Sequence, residues 1–244
     1  MHIIILPSWY PAHSRDIRGV FFRDQAIALS ARGHKIGVVA PIMHSIKKFF
    51  LNEWPAKSMG RENDKGVITY RQDVWAALPR IPYGNFLLWQ RTADRLLEKY
   101  LEEQGKPDII HAHSAIFAGA VAVRWKKRFG LPVVLTEHST AFARRVLQPW
   151  QLHLAKKAAA EVDVRIAVSP ALGKLLSDIL SFKSNDWHNI PNIVAERFKP
   201  VNRKMPAQND KIRFLNLAVM TEKKGQFDLL EAFAKAFPND LNRE

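Results

Sequence analysis

The chain contains no cysteine among its 244 residues, so disulfide bonds and thiolate metal sites are excluded. This absence fits a reducing cytoplasm. No apolar run approaches the roughly 20 residues that a membrane-spanning helix needs. The apolar start, residues 1–7, lacks the basic lead of a signal peptide. We therefore expect a cytoplasmic protein whose first residues form a buried strand.

Acidic residues are scarce, with 23 Asp and Glu against 37 Lys and Arg and a formal net charge of +14. Such a surface attracts polyanions, which include nucleic acid, anionic lipid headgroups and phosphorylated substrates. No recognised nucleic-acid motif accompanies the charge, so we expect no nucleic-acid partner. An anionic membrane surface, at the inner face of the membrane, stays a candidate partner. The basic clusters, each of which could also be a plain solvated helix face, are at 47–48, 124–128, 144–145, 156–157 and 223–224.

Short apolar runs alternate with longer helical patterns along most of the chain. This alternation is typical of βαβ units around a parallel sheet, and it predicts an α/β fold with a doubly wound sheet. The pattern predicts strands at 2–6, 35–40, 67–71, 108–111, 132–136, 164–168 and 187–190. It predicts helices near 19–32, 84–104, 116–129, 148–160 and 171–181.

Two stretches depart from this alternation. Residues 42–66 are irregular and basic, with Phe49, Phe50, Leu51 and Trp54 among lysines, and a loop of that length is usually functional or mobile. It could touch a membrane or cover an acceptor, or it could be a disordered excursion. A linker at 191–210, rich in Pro, Asn and Lys, separates a first domain at 1–190 from a new pattern at 211–244.

The new pattern is a strand at 211–217 followed by a helix at 226–237. One βα unit cannot bury its own apolar faces. Residues 211–244 are therefore either the opening of a second domain or an extra unit that packs on the first.

Two consecutive predicted strands deliver polar side chains to their carboxyl ends. The first ends at His111 and His113, and the second ends at Glu137 and His138. In an open parallel sheet, ligands bind at this edge, so we expect His113 and His138 to share one cleft. We expect His111 and His113 to point in opposite directions, with at most one of them facing the crevice. A metal site is not expected, because neither a third ligand nor an HExxH pattern is present.

Two further positions suit a phosphate group. Gly19 lies where the first predicted helix begins, and a glycine there lets backbone N–H groups approach an anion at the positive end of the helix dipole. A single glycine is also an ordinary turn residue. Lys224 precedes the last helix, where a cation opposes the helix dipole, and a lysine at such a place is easier to understand if it binds a diphosphate.

Read in order, these segments resemble the retaining glycosyltransferases of family 4, which have the GT-B fold. The ordered set covers nearly the whole chain. It consists of residues 29–36, 107–113, 132–138, 167–169, 190–192, 222–225 and 230–233.

The resemblance implies two Rossmann-like domains, of which the N-terminal one binds a glycan or lipid-linked acceptor and the C-terminal one binds a nucleotide-sugar. It implies that Gly19 lies beside the donor diphosphate, that His113 is the catalytic residue reaching the transferring sugar, and that Lys224 pairs with the phosphates. His111, Glu137 and His138 are then on the acceptor side. No cofactor is implied. The family's paired acidic residues, which hold the donor, would lie beyond residue 244, so we expect the second domain to be incomplete and the chain to be inactive alone.

Two other functions remain open from the sequence. The chain could belong to another GT-B enzyme, such as a nucleotide-sugar epimerase, which would need a pair of carboxylates as acid and base in the cleft. It could also be a basic, non-enzymatic module that binds polyanions, as its charge suggests.

Overall fold

The computed structural model describes residues 1–13, 16–46, 59–78, 80–195, 198–200 and 214–238. The chain divides into two compact units, Met1–Arg197 and Phe198–Glu244, which are described separately below. The predicted loop residues Phe49, Phe50, Leu51 and Trp54 lie outside the described residues. No described helix combines the length and the apolar character that crossing a membrane requires.

The first unit contains one mostly parallel sheet with helices on both faces, which confirms the predicted α/β fold class. Its described strands are β1 (His2–Pro7), β2 (Lys35–Ser45), β3 (Met59–Asp64), β4 (Val67–Ala76), β5 (Ile109–His113), β6 (Val133–Glu137), β7 (Val164–Ala167) and β8 (His188–Asn189). They lie in the order β3-β4-β2-β1-β5-β6-β7-β8, and only the β3–β4 pair is antiparallel within this sheet.

Five α-helices of the first unit are described. They are α1 (Val20–Ala31), α2 (Gly84–Gln104), α3 (Ala120–Phe129), α4 (Pro149–Glu161) and α5 (Pro170–Leu180), and a π-helix at Ala115–Gly119 leads into α3. The helix α5 shows how local sequence places these boundaries, because the Ser169 side chain accepts a hydrogen bond from the N–H of Leu172 and Pro170 is the first helical residue.

The antiparallel strand β3 was not predicted, and it lies inside the stretch that the sequence analysis considered irregular. Its residues are polar and show no period-two pattern, so hydrophobicity gave no signal. A two-residue turn joins it to β4, with positive φ angles of 53° at Lys65 and 86° at Gly66. Such a turn favours a hairpin. Backbone pairing at the sheet edge therefore defines this strand, and its Lys-Gly turn was the available signal.

The central strand β1 is buried on both faces because helices cover both sides of the sheet. Ile4 and Leu6 belong to the larger core beneath α2, α3, α4 and α5. Ile3 and Ile5 belong to the smaller core, which Phe22 of α1 completes. Because successive side chains of β1 point to opposite faces of the sheet, this one strand contributes apolar residues to both cores.

The second unit contains a 3-10 turn at Glu222–Lys224 and helix α6 (Gln226–Ala236), as the sequence predicts for its helix. The predicted strand at 211–217 is wrong for its described part, because residues 214–219 adopt no regular structure. A strand needs a partner for its backbone hydrogen bonds, and no strand is described in this unit. Leu215 and Leu217 are 88% and 91% exposed, while Phe214 contacts Phe233 of α6 with ring centroids 5.3 Å apart.

Candidate functional site at the switch point of the sheet

The chain connections reverse direction between β1 and β5, which are neighbours at the centre of the sheet. From β1 the chain passes through α1 to β2 on one side, and from β5 it passes through α3 to β6 on the other. The carboxyl ends of two such strands leave a crevice, where doubly wound proteins bind their ligands. Gly19 follows β1 and His113 ends β5, so both predicted residues lie at this switch point.

Hydrogen bonds join the segments that leave these two strands. The N–H of Ser8, just after β1, donates to the carbonyl of His113 (3.1 Å). The Ser8 hydroxyl accepts from the N–H of Ala118 in the π-helix (3.0 Å). Between them, Ser114 has φ 75° and ψ 132°, a backbone conformation that a residue with a Cβ rarely adopts. Unusual backbone and π-helical turns concentrate at functional sites, where surrounding contacts maintain them.

Three histidines meet at this edge of the sheet. The Nδ1 atom of His113 lies 3.1 Å from Nε2 of His138, which follows β6. His111 contacts His113, with ring centroids 4.2 Å apart, and its Nε2 lies 2.8 Å from the Thr136 hydroxyl oxygen. His113 and His138 therefore lie together at the carboxyl edge of the sheet, as expected, while a cleft shared by them stays a prediction. The expectation that His111 and His113 diverge was wrong, because residues two apart on a strand share a face.

Aromatic rings from α1 cover the histidines. The Phe22 ring lies 4.7 Å from the His113 ring and 4.9 Å from the His138 ring, centroid to centroid, and Phe21 lies 5.1 Å from His138. His113 has no exposed surface, and its Nε2 is buried with no hydrogen-bond partner among the described residues. A substrate atom could reach this nitrogen only if Phe22 moved, and Gly19, with φ 70° at the start of α1, adjoins that segment.

Burial keeps the three imidazoles neutral at ordinary pH. It lowers the pKa of His111 to about 4 and that of His138 to about 4, and it lowers the pKa of His113 well below its usual range. The nearby rings of His111 and His138 lower the pKa of His113 further, because a second positive charge would be repelled. The site therefore offers neutral rings, which donate and accept hydrogen bonds, instead of a fixed cation.

This burial predicts that the protein loses stability in mild acid. An unfolded histidine takes up a proton near pH 6.5, whereas folded His111 resists protonation until about pH 4. Stability conferred by the neutral ring therefore falls as the pH drops from 6.5 towards 4. Between pH 7 and pH 5 we expect the free energy of unfolding to fall by about 2 kcal/mol more in the wild type than in the His111→Gln variant.

Urea unfolding at the two pH values measures this difference. A His153→Gln variant is the control, because His153 is exposed on α4. Its pH dependence should match that of the wild type. Equal pH dependence in the wild type and His111→Gln would contradict the assignment to His111.

Glu137 ends β6 at the same edge as the histidines, and its expected role on the acceptor side stays a prediction. Its side chain is fully buried, and its carboxylate accepts backbone N–H groups from Ala115 (2.7 Å), His138 (2.9 Å) and Ser139 (2.8 Å). Burial raises its pKa, and these donors oppose the shift. Both carboxylate oxygens thus accept hydrogen bonds from backbone N–H groups. Glu137 fixes the start of the π-helix and the segment that carries His138.

Gly19 stands at the positive end of the α1 dipole. A Cβ at this position would lie 3.1 Å from both the Trp9 and Phe22 side chains, and φ 70° is itself unfavourable for other residues. Nearby, Asp16 accepts hydrogen bonds from Arg18, whose guanidinium lowers the pKa of that carboxyl. The structure thus requires glycine here for its own packing, and the diphosphate-binding role stays a prediction.

Lys224 belongs to the second unit, where it is exposed at the end of the 3-10 turn that precedes α6. Its pairing with donor phosphates stays a prediction. Ser8, Ser114 and Phe22 are parts of the site that the sequence did not predict. Ser8 and Ser114 directly follow strands that lead to the switch point, which was a usable signal, whereas nothing in the sequence marked Phe22 as the residue that covers His113.

The basic cluster at 124–128 is neutralised by acidic residues on neighbouring elements. Arg124 pairs with Asp94 (2.6 Å) and Lys126 with Asp163 (2.6 Å). Lys127 and Arg128 pair with Glu161 and Glu98 in the same way. This cluster is an ion-paired helix face. Within the described ranges, no group of three His, Asp or Glu side chains has a geometry that could hold a metal ion.

Comparison with known proteins agrees with this architecture. Residues 19–197 match Glycosyltransferase Family 4. A putative teichuronic acid biosynthesis glycosyltransferase from Bacillus subtilis is 26% identical over 254 aligned positions, which cover 95% of this chain and 62% of the relative.

Two solved Arabidopsis thaliana structures share the fold. The catalytic domain of starch synthase IV, bound to ADP and acarbose, has a TM-score of 0.51 at 15% identity and matches 78% of this chain and 51% of its own. UGT89C1 complexed with UDP-L-rhamnose has a TM-score of 0.50 at 13% identity and matches 84% of this chain and 52% of its own. The chain thus spans less than two thirds of the length of these proteins. The first unit has the Rossmann-like architecture of a GT-B N-terminal domain.

Proposed function

Because the chain belongs to Glycosyltransferase Family 4, we propose that it is the acceptor-binding part of a retaining glycosyltransferase. The enzyme moves a sugar from a nucleoside-diphosphate sugar to a glycan or lipid-linked acceptor. The observation that carries this proposal is the meeting of His113 and His138, 3.1 Å apart, at the switch point of the sheet. This is where a doubly wound domain binds its ligand.

The residues at this point suit the chemistry of sugar transfer. Breaking the bond between sugar and phosphate leaves a diphosphate whose negative charge needs fixed, pre-oriented positive groups. The amino end of α1, beside Gly19, supplies a positive dipole end. The pairing of Lys224, in the second unit, with donor phosphates is proposed from the family resemblance alone. His113 holds a buried Nε2 that a sugar hydroxyl could pair with once Phe22 is displaced.

The alternative of a nucleotide-sugar epimerase fits the site less well. That reaction needs carboxylates free to exchange protons with a sugar. The carboxylates beside the switch point are engaged otherwise, since Asp16 binds Arg18 and Glu137 is buried among backbone N–H groups. The alternative of a polyanion-binding module is weakened because the cluster at 124–128 is ion-paired.

We expect the 244-residue chain to bind nucleotide-sugars weakly. In the resembled family the second domain supplies most donor contacts, and the second unit described here consists of a 3-10 turn and one α-helix. Calorimetric titration with a panel of uridine and guanosine diphosphate sugars measures this. Saturable micromolar binding would show a complete donor site and contradict the proposal that this chain mainly binds the acceptor.

A further proposed partner is an anionic membrane surface, with the protein in the cytoplasm at the inner face. The net charge of +14 supports this proposal. Each Lys or Arg that lies near an anionic surface contributes about 1 kcal/mol to the free energy of binding. We expect co-sedimentation with anionic vesicles at low salt and loss of binding at high salt. Equal binding to neutral vesicles would reject the electrostatic part. Replacing Phe49, Phe50 and Trp54 by serine tests whether aromatic insertion contributes.

A further inference from the structure

A cavity lies between the end of β4 and helix α2, away from the histidines. Its volume is about 700 Å³, and we refer to it as the β4–α2 pocket. Residues at the end of β4 line one side of it, and residues of α2 line the other. The residues that matter for its chemistry are Asp73, Trp75, Leu88, Arg91, Asp94 and Arg95.

The guanidinium groups of Arg91 and Arg95 in the β4–α2 pocket form no ion pair within the described residues, and other side chains bind the two carboxylates that line the pocket. Asp73 is engaged by His44, with Nε2 and Oδ1 2.5 Å apart. Asp94 accepts from Arg124 (2.6 Å) and from the Trp125 indole N–H (2.8 Å).

Arg91 and Arg95 are exposed, one helical turn apart on α2, and pair with no carboxylate in the described part of the chain. Within the described residues, the Arg95 guanidinium donates a hydrogen bond to the Thr92 hydroxyl (3.4 Å). Of the two carboxylates that line the pocket with Arg91 and Arg95, that of Asp94 is already paired with Arg124 of α3 and that of Asp73 is bound by His44. The pocket therefore favours an anionic ligand.

The strand register places this pocket at the same edge of the sheet as the histidines but on the other face. The histidine rings face α1, where Phe22 covers His113, whereas the pocket adjoins α2. His113 aligns with Pro7 of β1, and β2 and β4 run on past that level to Ser45 and Ala76. The pocket residues of β4 thus lie beyond the carboxyl edge, where the crevice opens. Three strand spacings separate β4 from β5, which is about 14 Å across the sheet. An oligosaccharide of a few sugar units would span this distance.

We propose that the β4–α2 pocket binds an anionic sugar unit of the acceptor, a few units from the hydroxyl that receives the transferred sugar. The proposal rests on the proposed function in that the ligand is an acceptor glycan. Arg91 and Arg95 bind the carboxylate or phosphate, since guanidinium groups bind both in a bidentate manner. Leu88 and the other aliphatic lining residues contact the apolar face of the sugar ring, as such linings do in small-molecule sites.

Calorimetric titration of the 244-residue chain tests this with three probes: trigalacturonic acid for a carboxylate, glucose 1-phosphate for a phosphate, and maltotriose as the neutral sugar. We expect saturable binding of at least one acidic probe and binding of maltotriose that is at least about tenfold weaker, since a charge-assisted pair contributes about 1.5–3 kcal/mol. The acidic probe that binds more tightly identifies the anionic group.

The double variant Arg91→Gln/Arg95→Gln is expected to raise the Kd of the acidic probe at least about tenfold. The matched control Lys157→Gln/Lys174→Gln removes the same charge from exposed positions on α4 and α5 and should change the Kd less than about twofold. Unfolding midpoints verify that all variants are folded.

Three results would overturn the proposal: no binding of either acidic probe by the wild type, equal affinity for maltotriose, or equal losses in the two double variants. Equal losses would show non-specific attraction by net charge. The measurement needs neither donor nor sugar transfer. Its failure therefore leaves the transferase function standing, and failure of a transfer assay leaves this binding result standing.

Discussion

Replacing His113 by alanine is expected to lower the rate of sugar transfer by about 10²–10³-fold, the usual effect of removing one group that stabilises the transition state. The resemblance places this imidazole at the transferring sugar, and the structure places it at the switch point, with a buried Nε2 that lacks a hydrogen-bond partner in the described chain. The assay needs a complete donor half, so this chain is joined to the nucleotide-binding domain of a two-domain family member.

Transfer is followed by mass spectrometry of the acceptor under saturating donor. His153→Ala is the matched control, because it removes an exposed imidazole from α4 and should leave the rate unchanged. Because His113 packs against Phe22 and His111, unfolding of each variant is measured in parallel. A folded His113→Ala protein with a rate within twofold of the wild type would show that the histidine has a packing role only.

Replacing Glu137 by glutamine is expected to destabilise the protein by about 2–4 kcal/mol, although the two side chains have the same shape. The Glu137 carboxylate accepts three backbone N–H groups in a fully buried position. Glutamine replaces one acceptor oxygen by an NH₂ donor, so at least one buried N–H loses its partner. The remaining bonds also lose the strength that the negative charge confers.

For a chain of this length, the loss corresponds to a decrease in Tm of about 5–15 °C. Calorimetry or circular dichroism measures it. Glu98→Gln is the control, because Glu98 is half exposed and pairs with Arg128 at the surface, where an ion pair contributes about 0–1 kcal/mol. Equal midpoints for Glu137→Gln and Glu98→Gln would show that the N–H groups at Ala115, His138 and Ser139 are satisfied without the carboxylate.

Much of the fold followed from patterns within short segments. The strands at 2–6 and 132–136 and the helix at 84–104 were predicted because buried parallel strands and amphipathic helices have distinct hydrophobic periods. The structure confirms them as β1, β6 and α2 within a residue or two. The strand β3 was not predicted because its side chains show no alternation of apolar and polar residues. Backbone hydrogen bonds with β4 stabilise it.

Within the site, the sequence determined which polar residues end the strands, namely His111, His113, Glu137 and His138. Since parallel strands end at one edge, it also determined that His113 and His138 lie together. Whether each side chain faces ligand or core was decided by tertiary contacts. Phe22 covers His113, and backbone N–H groups from two separate segments surround Glu137.

Arg91 and Arg95 also show what the sequence decides and what the tertiary structure decides. The sequence contains Arg91 and Arg95 on one helix, but neither pairs with a carboxylate in the described part of the chain. That depends on Asp73 and Asp94 being bound to His44 and Arg124, which come from other elements. Local periodicity decides secondary structure because it concerns neighbours along the chain. Burial, pKa and the availability of a charge depend on neighbours in space, and only the packing of β2, β4, α2 and α3 brings those neighbours together.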